Sequence, residues 1–287
     1  MDIKTKRKLN QLFLWIAVAV ILIAVLAPFL WLVISSISHK VDLTSVPLRF
    51  FPKKPTFENY LKIFYGGRGV TDAASQFGQC TINSLIVAFF VTLISMVAGS
   101  LAAYGLTRLD FRGKGFIGTS IILPQILPPI ALIIPLFLII NGFGLVDTRL
   151  SLILTYISFI LPLVIRLMMG HFASIPSSIE EAARIDGCTR IGALMRIVLP
   201  LSAPGIAATS IFAFIIAWNE FFFALIFAST QSSKTLSVLV EEFSSKFGSD
   251  FISMSTAGVL ASLPPVILAL IFQKFIIQGL TAGSVKG

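Results

Sequence analysis

Long apolar segments separated by short polar ones run through the whole chain. A helix needs about 20 apolar residues to cross the hydrocarbon core of a bilayer. The pattern predicts six membrane-spanning helices, at residues 11–36, 81–104, 117–140, 150–169, 203–228 and 257–277. The predicted fold class is therefore all-α, a polytopic membrane protein with six transmembrane helices.

The third predicted span contains four prolines, which are Pro124, Pro128, Pro129 and Pro135. Each proline removes a backbone donor and clashes with the preceding turn. In a membrane the freed carbonyls need partners from neighbouring helices, side chains or cavity water. We predict a bent helix that faces protein, and the bend is compatible with either a gating role or a purely structural one.

Small residues cluster at the end of the second predicted span, where Gly99, Ala102, Ala103 and Gly105 follow one another closely. Small side chains let helix backbones approach each other in lipid. The cluster predicts a close contact with another helix.

Basic residues indicate the orientation, because cytoplasmic loops are enriched in Lys and Arg. The densest clusters, Lys4–Lys8 and Arg108–Lys114, fall on one side of the predicted membrane. Residues 38–78 form a Pro- and Gly-rich outer loop that is also basic, so the rule is not obeyed everywhere. The first apolar segment is too long for a signal peptide. We predict cytoplasmic termini, with a basic tail at 1–10, a permease domain at 11–280 and a second tail at 281–287.

Composition agrees with a membrane protein. Charged residues make up 12% of the chain, against about 25% in ordinary soluble domains, and the mean hydropathy is +0.94. The net charge of +9 is interpreted as topogenic, because no basic stripe with interleaved aromatics points to nucleic acid.

The sequence shows little enzyme chemistry. Cys80 and Cys188 are predicted on opposite faces of the membrane, so they should not form a disulfide. His39 and His171 each lack a partner at metal-ligand spacing, and no HExxH, GxSxG or Walker-type loop is present. We expect neither catalytic residues nor a metal site.

The densest polar interruption in the C-terminal two thirds is Ile175–Pro200. Ser177 or Ser178 is followed three residues later by Glu180 or Glu181, a spacing typical of a capping box. A helix is therefore predicted to begin at these serines.

This first helix is predicted to end at Gly187, a residue suited to the position after a helix. Thr189 can begin a second helix through Val198, which the Leu199-Pro200 pair would end. Helices this short are unstable alone in water, so they need a partner surface. That surface is either another protein or the lipid headgroups.

The same segment resembles a known motif. Glu181-Ala182-Ala183, three residues, Gly187, nine residues and Ile197-Val198-Leu199-Pro200 are similar to the EAA loop of ABC importer permeases. AYGLTR at 103–108, AWNEF at 217–221 and GLTAGSVKG at 279–287 resemble carbohydrate permeases of the maltose/maltodextrin type, and the last is similar to the MalG-like subunit.

The resemblance implies a type I ABC importer fold in which residues 175–200 form a cytoplasmic coupling helix. It implies that Gly283 and Lys286 of the tail contact the ATPase, that Gly187 makes the turn, and that Leu199 and Pro200 lead into the next span. The residues it implies for coupling to the ATPase are Glu180, Glu181, Ala182, Ala183, Asp186, Gly187, Leu199 and Pro200. The implied partners are a second permease subunit in a heterodimer, two ATPase subunits, an extracytoplasmic solute-binding protein and the lipid bilayer. No cofactor is expected on this chain, since ATP and Mg²⁺ would bind the partner ATPases. The implied location is the cytoplasmic (inner) membrane of a prokaryote.

Asn219 and Glu220 lie within the fifth predicted span. An ionisable residue inside a membrane is a candidate functional residue, although hydrogen bonding that holds the helices together is the favoured explanation here. With Asn83 and Gln125 they are candidates for a translocation path. The expected function is import of a maltose/maltodextrin-like oligosaccharide. The alternatives are an ABC permease for a different solute class and an ion-coupled secondary carrier, which usually needs several paired carboxylates.

Overall fold

A computed structural model describes residues 3–47, 49–65, 72–245 and 248–281. The helices are α1 (Ile3–Ser36), α2 (Lys40–Leu43), α3 (Glu58–Tyr65), α4 (Asp72–Ser75), α5 (Phe77–Arg108), α6 (Lys114–Ile122), α7 (Ile133–Gly142), α8 (Arg149–Ala173), α9 (Ser177–Ile185), α10 (Arg190–Ala193), α11 (Leu199–Leu201), α12 (Ala203–Trp218), α13 (Phe222–Phe227), α14 (Leu236–Glu242) and α15 (Phe251–Thr281). Two-residue strands, β1 (Ser244–Ser245) and β2 (Gly248–Ser249), pair antiparallel. The all-α prediction is confirmed.

Among the described residues, four helical segments are long and apolar enough to cross a membrane, namely Asn10–Ser36 of α1, all of α5 and α8, and Phe251–Ile276 of α15. Two further segments are bent pairs, and six spans result if each pair counts as one. α1 begins at Ile3, so most of the predicted basic tail is the first part of that helix. The predicted outer loop at 38–78 contains the short helices α2, α3 and α4.

The third span is the more sharply bent of the two pairs, at 97°. α6 continues as a 3-10 helix over Leu123–Ile126, Leu127 and Pro128 are extended, and a second 3-10 helix at Pro129–Leu132 leads into α7. The prolines cause the break because they cannot donate to the helical ladder. The predicted bend is confirmed. Large apolar side chains on both sides of the break are exposed in the single chain, and that this span faces protein stays a prediction.

The fifth span is not the single helix that the sequence predicts over residues 203–228. Arg190–Leu201 meets α12 at 78°, and α12 ends at Trp218, four residues before α13 begins. The polar residues Asn219 and Glu220 occupy this interruption.

The chain divides into two compact units, Met1–Phe77 with Val240–Ala261, and Gly78–Leu239 with Ser262–Gly287. In the first unit, the end of α1 is held by side chains from elsewhere in the unit. The Ser36 and Tyr60 hydroxyls form a hydrogen bond of 2.6 Å. Asn59 Nδ2 donates to the carbonyls of Ser36 (2.8 Å) and Ser38 (3.2 Å). These bonds satisfy backbone acceptors that a helix end leaves free.

The second unit is built around α8. Its fully buried side chains recur every four residues, which places them in one inclined row along the helix; they are Leu152, Tyr156, Ile160, Val164, Met168 and Phe172. α5 approaches this row so closely that a Cβ added at Gly99 would lie 2.7 Å from Val164 Cγ1. α12 approaches it at Gly205, next to the His171 ring. The predicted close contact is confirmed at Gly99, whereas Gly105 has open space around it.

Candidate functional site

The polar segment 175–200 folds as two short helices joined at Gly187, as the sequence predicts. Gly187 has φ +90°, a left-handed conformation that costs other residues energy. Its N–H donates to Arg184 O (3.1 Å), and the Cys188 N–H donates to Ala183 O (3.0 Å). This pair of bonds is a Schellman motif, and it satisfies the last carbonyls of α9.

The second helix begins as predicted, because Thr189 Oγ1 accepts a hydrogen bond from the Gly192 N–H at 3.0 Å. α10 then widens into a π-helix over Leu194–Val198. Pro200 explains the widening, since it lacks the N–H that an α-helix needs at that position. The predicted end at Leu199-Pro200 is wrong, because α11 carries the helical path to Leu201.

The predicted capping box is also wrong. The residue before α9 is Pro176, and no side chain of the described residues caps this helix. Ser177 and Ser178 lie inside its first turn instead. Glu180 does not turn back to the backbone but points into the protein, where only 7% of it remains exposed.

Glu180 joins a buried cluster with Tyr104 and Arg108, which we call the inner cluster. Glu180 Oε2 lies 3.3 Å from Arg108 Nε, and Glu180 Oε1 accepts a hydrogen bond from the Tyr104 hydroxyl. Arg108 Nη2 donates to the carbonyls of Phe172 (2.9 Å) and Ile175 (2.6 Å), at the end of α8. A buried carboxylate needs such charged and polar partners.

The opposite side of α9 is exposed, and we call it the outer face: Ser178, Glu181, Ala182 and Ile185. Ile185 is 87% exposed on this face. Of the other coupling residues that the resemblance implies, Asp186 and Gly187 are exposed beside this face, and Ala183 and Leu199 are half-buried. Pro200 is exposed.

The candidate path residues of the fifth span have different surroundings. Glu220 caps α13, because its carboxylate accepts the backbone N–H groups of Phe223 (2.9 Å) and Ala224 (3.2 Å). A negative charge is favourable at a helix N-terminus. Asn219 ends α12 and is exposed, and its place on a translocation path stays a prediction.

Gln125 lies at the bend of the third span and lines a cavity of about 220 Å³. Ser158, Phe159 and Phe223 line the same cavity, and the two phenylalanine rings stack with centroids 5.5 Å apart. The cavity combines an amide, a hydroxyl and aromatic surface.

Asn83 lies away from this cavity. Its buried side chain forms a clamp that holds residues 231–234 through hydrogen bonds. Its Nδ2 donates to Gln231 O (3.0 Å) and Lys234 O (2.8 Å). Its Oδ1 accepts from Gln79 Nε2 (3.1 Å) and Arg149 Nε (2.9 Å). The Asn83 amide therefore makes four hydrogen bonds within this clamp, and a path-lining role for Asn83 stays a prediction.

Gly283 and Lys286, the predicted tail contacts, lie outside the described residues. Within the described ranges, no group of three His, Cys, Asp or Glu side chains could hold a metal ion. Cys80 and Cys188 are both free thiols.

Residues 95–282 match the protein family described as "Binding-protein-dependent transport system inner membrane component". The chain belongs to this family. It is 36% identical to the sulfoquinovosyl glycerol transport system permease SmoH of Agrobacterium fabrum, covering 95% of this chain and 93% of that protein. It is 36% identical to the trehalose/maltose transport system permease MalG of Thermococcus litoralis, covering 97% and 98%.

The fold agrees with this membership. The crystal structure of a bacterial ABC transporter involved in the import of the polysaccharide alginate contains a chain that superposes with a TM-score of 0.79. The match covers 94% of this chain and 97% of the other, at 22% identity. The type I ABC importer fold predicted from the sequence is therefore confirmed.

Only part of the inner cluster of this transport component could be predicted from the sequence. In the sequence, Arg108 is interpreted as one of the topogenic charges. Tyr104 belongs to the AYGLTR segment, and no role is assigned to it. A possible signal is the second glutamate, Glu180, directly before Glu181. An extra carboxylate beside a docking motif, and an arginine at the end of an apolar span, can satisfy each other if the fold brings them together.

Proposed function

We propose that this chain is a membrane-spanning subunit of an ATP-driven ABC importer for a maltose/maltodextrin-like oligosaccharide. An extracytoplasmic binding protein would deliver the sugar, a second permease subunit would complete the pathway, and two ATPase subunits would bind ATP and Mg²⁺. The relatives named for trehalose/maltose and sulfoquinovosyl glycerol transport support the sugar class. Both termini would lie in the cytoplasm.

The outer face of α9 is the observation that carries the proposal. It places Glu181 beside the small Ala182 and the 87% exposed Ile185. A carboxylate, a flat patch and an apolar side chain on one short helix suit a cleft on a partner protein, since burying an isoleucine contributes about 1.5–3 kcal/mol. Leu199 and Pro200 would connect this docking helix to α12.

In the proposed mechanism, ATP binding closes the ATPase pair and moves α9. The third to fifth spans would follow and turn the pathway from inward-open to outward-open. The interruptions at Leu127-Pro128 and Asn219–Phe221 provide places where these spans can change direction. Asn219 and Gln125 would offer amide groups to the sugar.

Ion-coupled transport is disfavoured by the surroundings of Glu220. Its carboxylate already accepts two backbone hydrogen bonds at the start of α13. A proton- or sodium-coupling carboxylate must exchange its ligand during transport, and this one is used to hold the fifth span together.

Reconstitution in proteoliposomes tests the proposal. The chain, its second permease, the ATPase and the binding protein are assayed for ATP-dependent uptake of maltose, maltotriose and trehalose. In a Glu181→Leu/Gly187→Val variant we expect normal membrane insertion but no uptake and no substrate-stimulated ATP hydrolysis. Gly144→Val, at another left-handed glycine (φ +67°) outside α9, is the matched control for backbone strain. Uptake that persists in the double variant would reject docking through α9.

A further inference from the structure

We infer that the inner cluster of Tyr104, Arg108 and Glu180 is a mechanical latch that fixes the docking helix α9 to the second span, α5. These three are positioning residues, and Glu180 acts through Arg108 and Tyr104 instead of contacting the ATPase. The inference rests on the proposed function, because it concerns how movement of α9 reaches the spans.

The first support is the geometry around Arg108, which joins three helices through one guanidinium. Arg108 is the last residue of α5. Its Nε lies 3.3 Å from Glu180 Oε2 of α9, and its Nη2 donates to Phe172 O and Ile175 O at the end of α8. The planar, rigid guanidinium suits such a junction better than a flexible ammonium group would.

Tyr104 makes the second connection, one helical turn earlier on α5. Its hydroxyl donates to Glu180 Oε1 and lies 3.3 Å from Arg190 O at the start of α10. Its ring packs edge-on against Phe172, with centroids 6.4 Å apart. Tyr104 therefore contacts both helices that flank the Gly187 turn.

Burial strengthens the ion pair between Arg108 and Glu180. The Glu180 and Arg108 side chains are only 10% and 12% exposed, so water screens their attraction weakly. Removing one member of such a buried pair leaves the other without compensation. The exposed ion pair between Lys114 and Asp110, at 3.4 Å, lacks this property and lies just beyond the same end of α5.

The two sides of α9 thus have separate tasks. The outer face is free to bind a partner, whereas the inner cluster holds the helix from behind. α9 has nine residues and α10 has four, and a glycine joins them, so an unlatched α9 could move without moving α5 or α8. Loss of the latch should therefore separate ATP hydrolysis from transport without releasing the ATPase.

The test measures coupling in the reconstituted importer. Tyr104→Phe keeps the ring and removes only the hydroxyl, and Glu180→Gln keeps the shape and removes the charge. For both we expect the ATPase subunit to co-purify in wild-type amount, while the number of ATP molecules hydrolysed per sugar imported rises about tenfold. Asp110→Asn, which breaks the exposed ion pair, is the control and should leave this ratio unchanged.

Three results would overturn the latch. Wild-type coupling in both Tyr104→Phe and Glu180→Gln would show that the cluster transmits nothing. Loss of the ATPase subunit from the Glu180→Gln complex would place Glu180 on the docking surface. A structural defect alone would lower uptake and hydrolysis together and leave their ratio unchanged, which also counts against the latch. Failure of the wild-type chain to bind any ATPase would reject the proposed function itself.

Discussion

Asn83 Nδ2 donates a hydrogen bond to the carbonyl oxygen of Lys234 at 2.8 Å, across 151 residues of sequence. Asn83 is fully buried in α5, and Lys234 belongs to the segment that follows α13. The Ser84 hydroxyl adds a second buried contact by accepting the Leu236 N–H at 2.8 Å. Adjacent residues of α5 thus hold the chain between the fifth and sixth spans in one position.

Replacing Asn83 tests whether it is a clamp or a path residue. Asn83→Ala leaves two carbonyls without their buried donor, so we expect a loss of stability of about 2–3 kcal/mol. The measurement is the thermal unfolding temperature of the purified protein in one detergent. Asn141→Ala, at an exposed asparagine, should stay within about 0.5 kcal/mol. Normal unfolding of the Asn83 variant combined with lost transport would instead assign Asn83 to the path.

Asp147 holds the beginning of the same segment. Its Oδ1 accepts the N–H groups of Ser229 (2.8 Å) and Thr230 (2.9 Å) and the Ser233 hydroxyl. Partial burial alone would raise the pKa of Asp147, but these hydrogen bonds to the charged form outweigh it and lower the pKa from 3.8 to about 2.

The sign of the resulting pH dependence follows from this lowered pKa. The charged Asp147 contributes stability that is complete above about pH 4 and is lost as the pH falls toward 2. Asp147→Asn should therefore destabilise by about 1 kcal/mol at pH 7, a value discounted because the site is partly exposed. The difference between the two proteins should be unchanged when thermal unfolding is repeated at about pH 5 and should shrink at about pH 2.5. A difference that stays constant over this range would contradict the assignment.

The contact between α5 and α8 gives a prediction with an internal control. A Cβ at Gly99 would lie 2.7 Å from Val164 Cγ1, so Gly99→Ala should destabilise by about 1–3 kcal/mol. Adding Val164→Ala in the same chain should restore part of the loss. Gly105→Ala on the same helix meets nothing within 4 Å and should be neutral or stabilising. Equal unfolding temperatures for the two glycine variants would show that the helices do not approach at Gly99.

Features that depend only on residues close together in the sequence could be predicted from it. Six apolar segments indicate the spans, the prolines near Pro128 indicate a bend, and Gly187 with Thr189 indicates two short helices. Each of these rests on local physics, such as a missing amide hydrogen, a left-handed backbone or a hydroxyl that caps a helix. Bends at prolines and turns at glycines need no knowledge of the rest of the fold.

The direction in which a side chain points could not be predicted in the same way. Glu180 and Glu181 are adjacent, and the helix turns by about 100° per residue, so they face different surroundings. Which of them is buried depends on Tyr104, 76 residues earlier. The surroundings of Asn83 could not be predicted for the same reason, because its partners near Lys234 come from a distant part of the chain. Tertiary partners therefore decide what the polar residues of this protein do.

Ile185 provides a sharp test of the docking surface, because the described part of the chain leaves most of its side chain uncovered. It is 87% exposed on the outer face of α9, so substitution should leave the fold of this chain intact. If the ATPase buries it, Ile185→Ser should weaken ATPase binding by about 1.5–3 kcal/mol, or roughly 10- to 150-fold in Kd. Ile185→Leu retains the apolar volume and should bind nearly as the wild type does. Titration of the purified ATPase onto the permease heterodimer in nanodiscs measures both affinities. Unchanged affinity in the serine variant would show that the ATPase contacts a different surface, and α9 would then be an interfacial helix on the lipid headgroups.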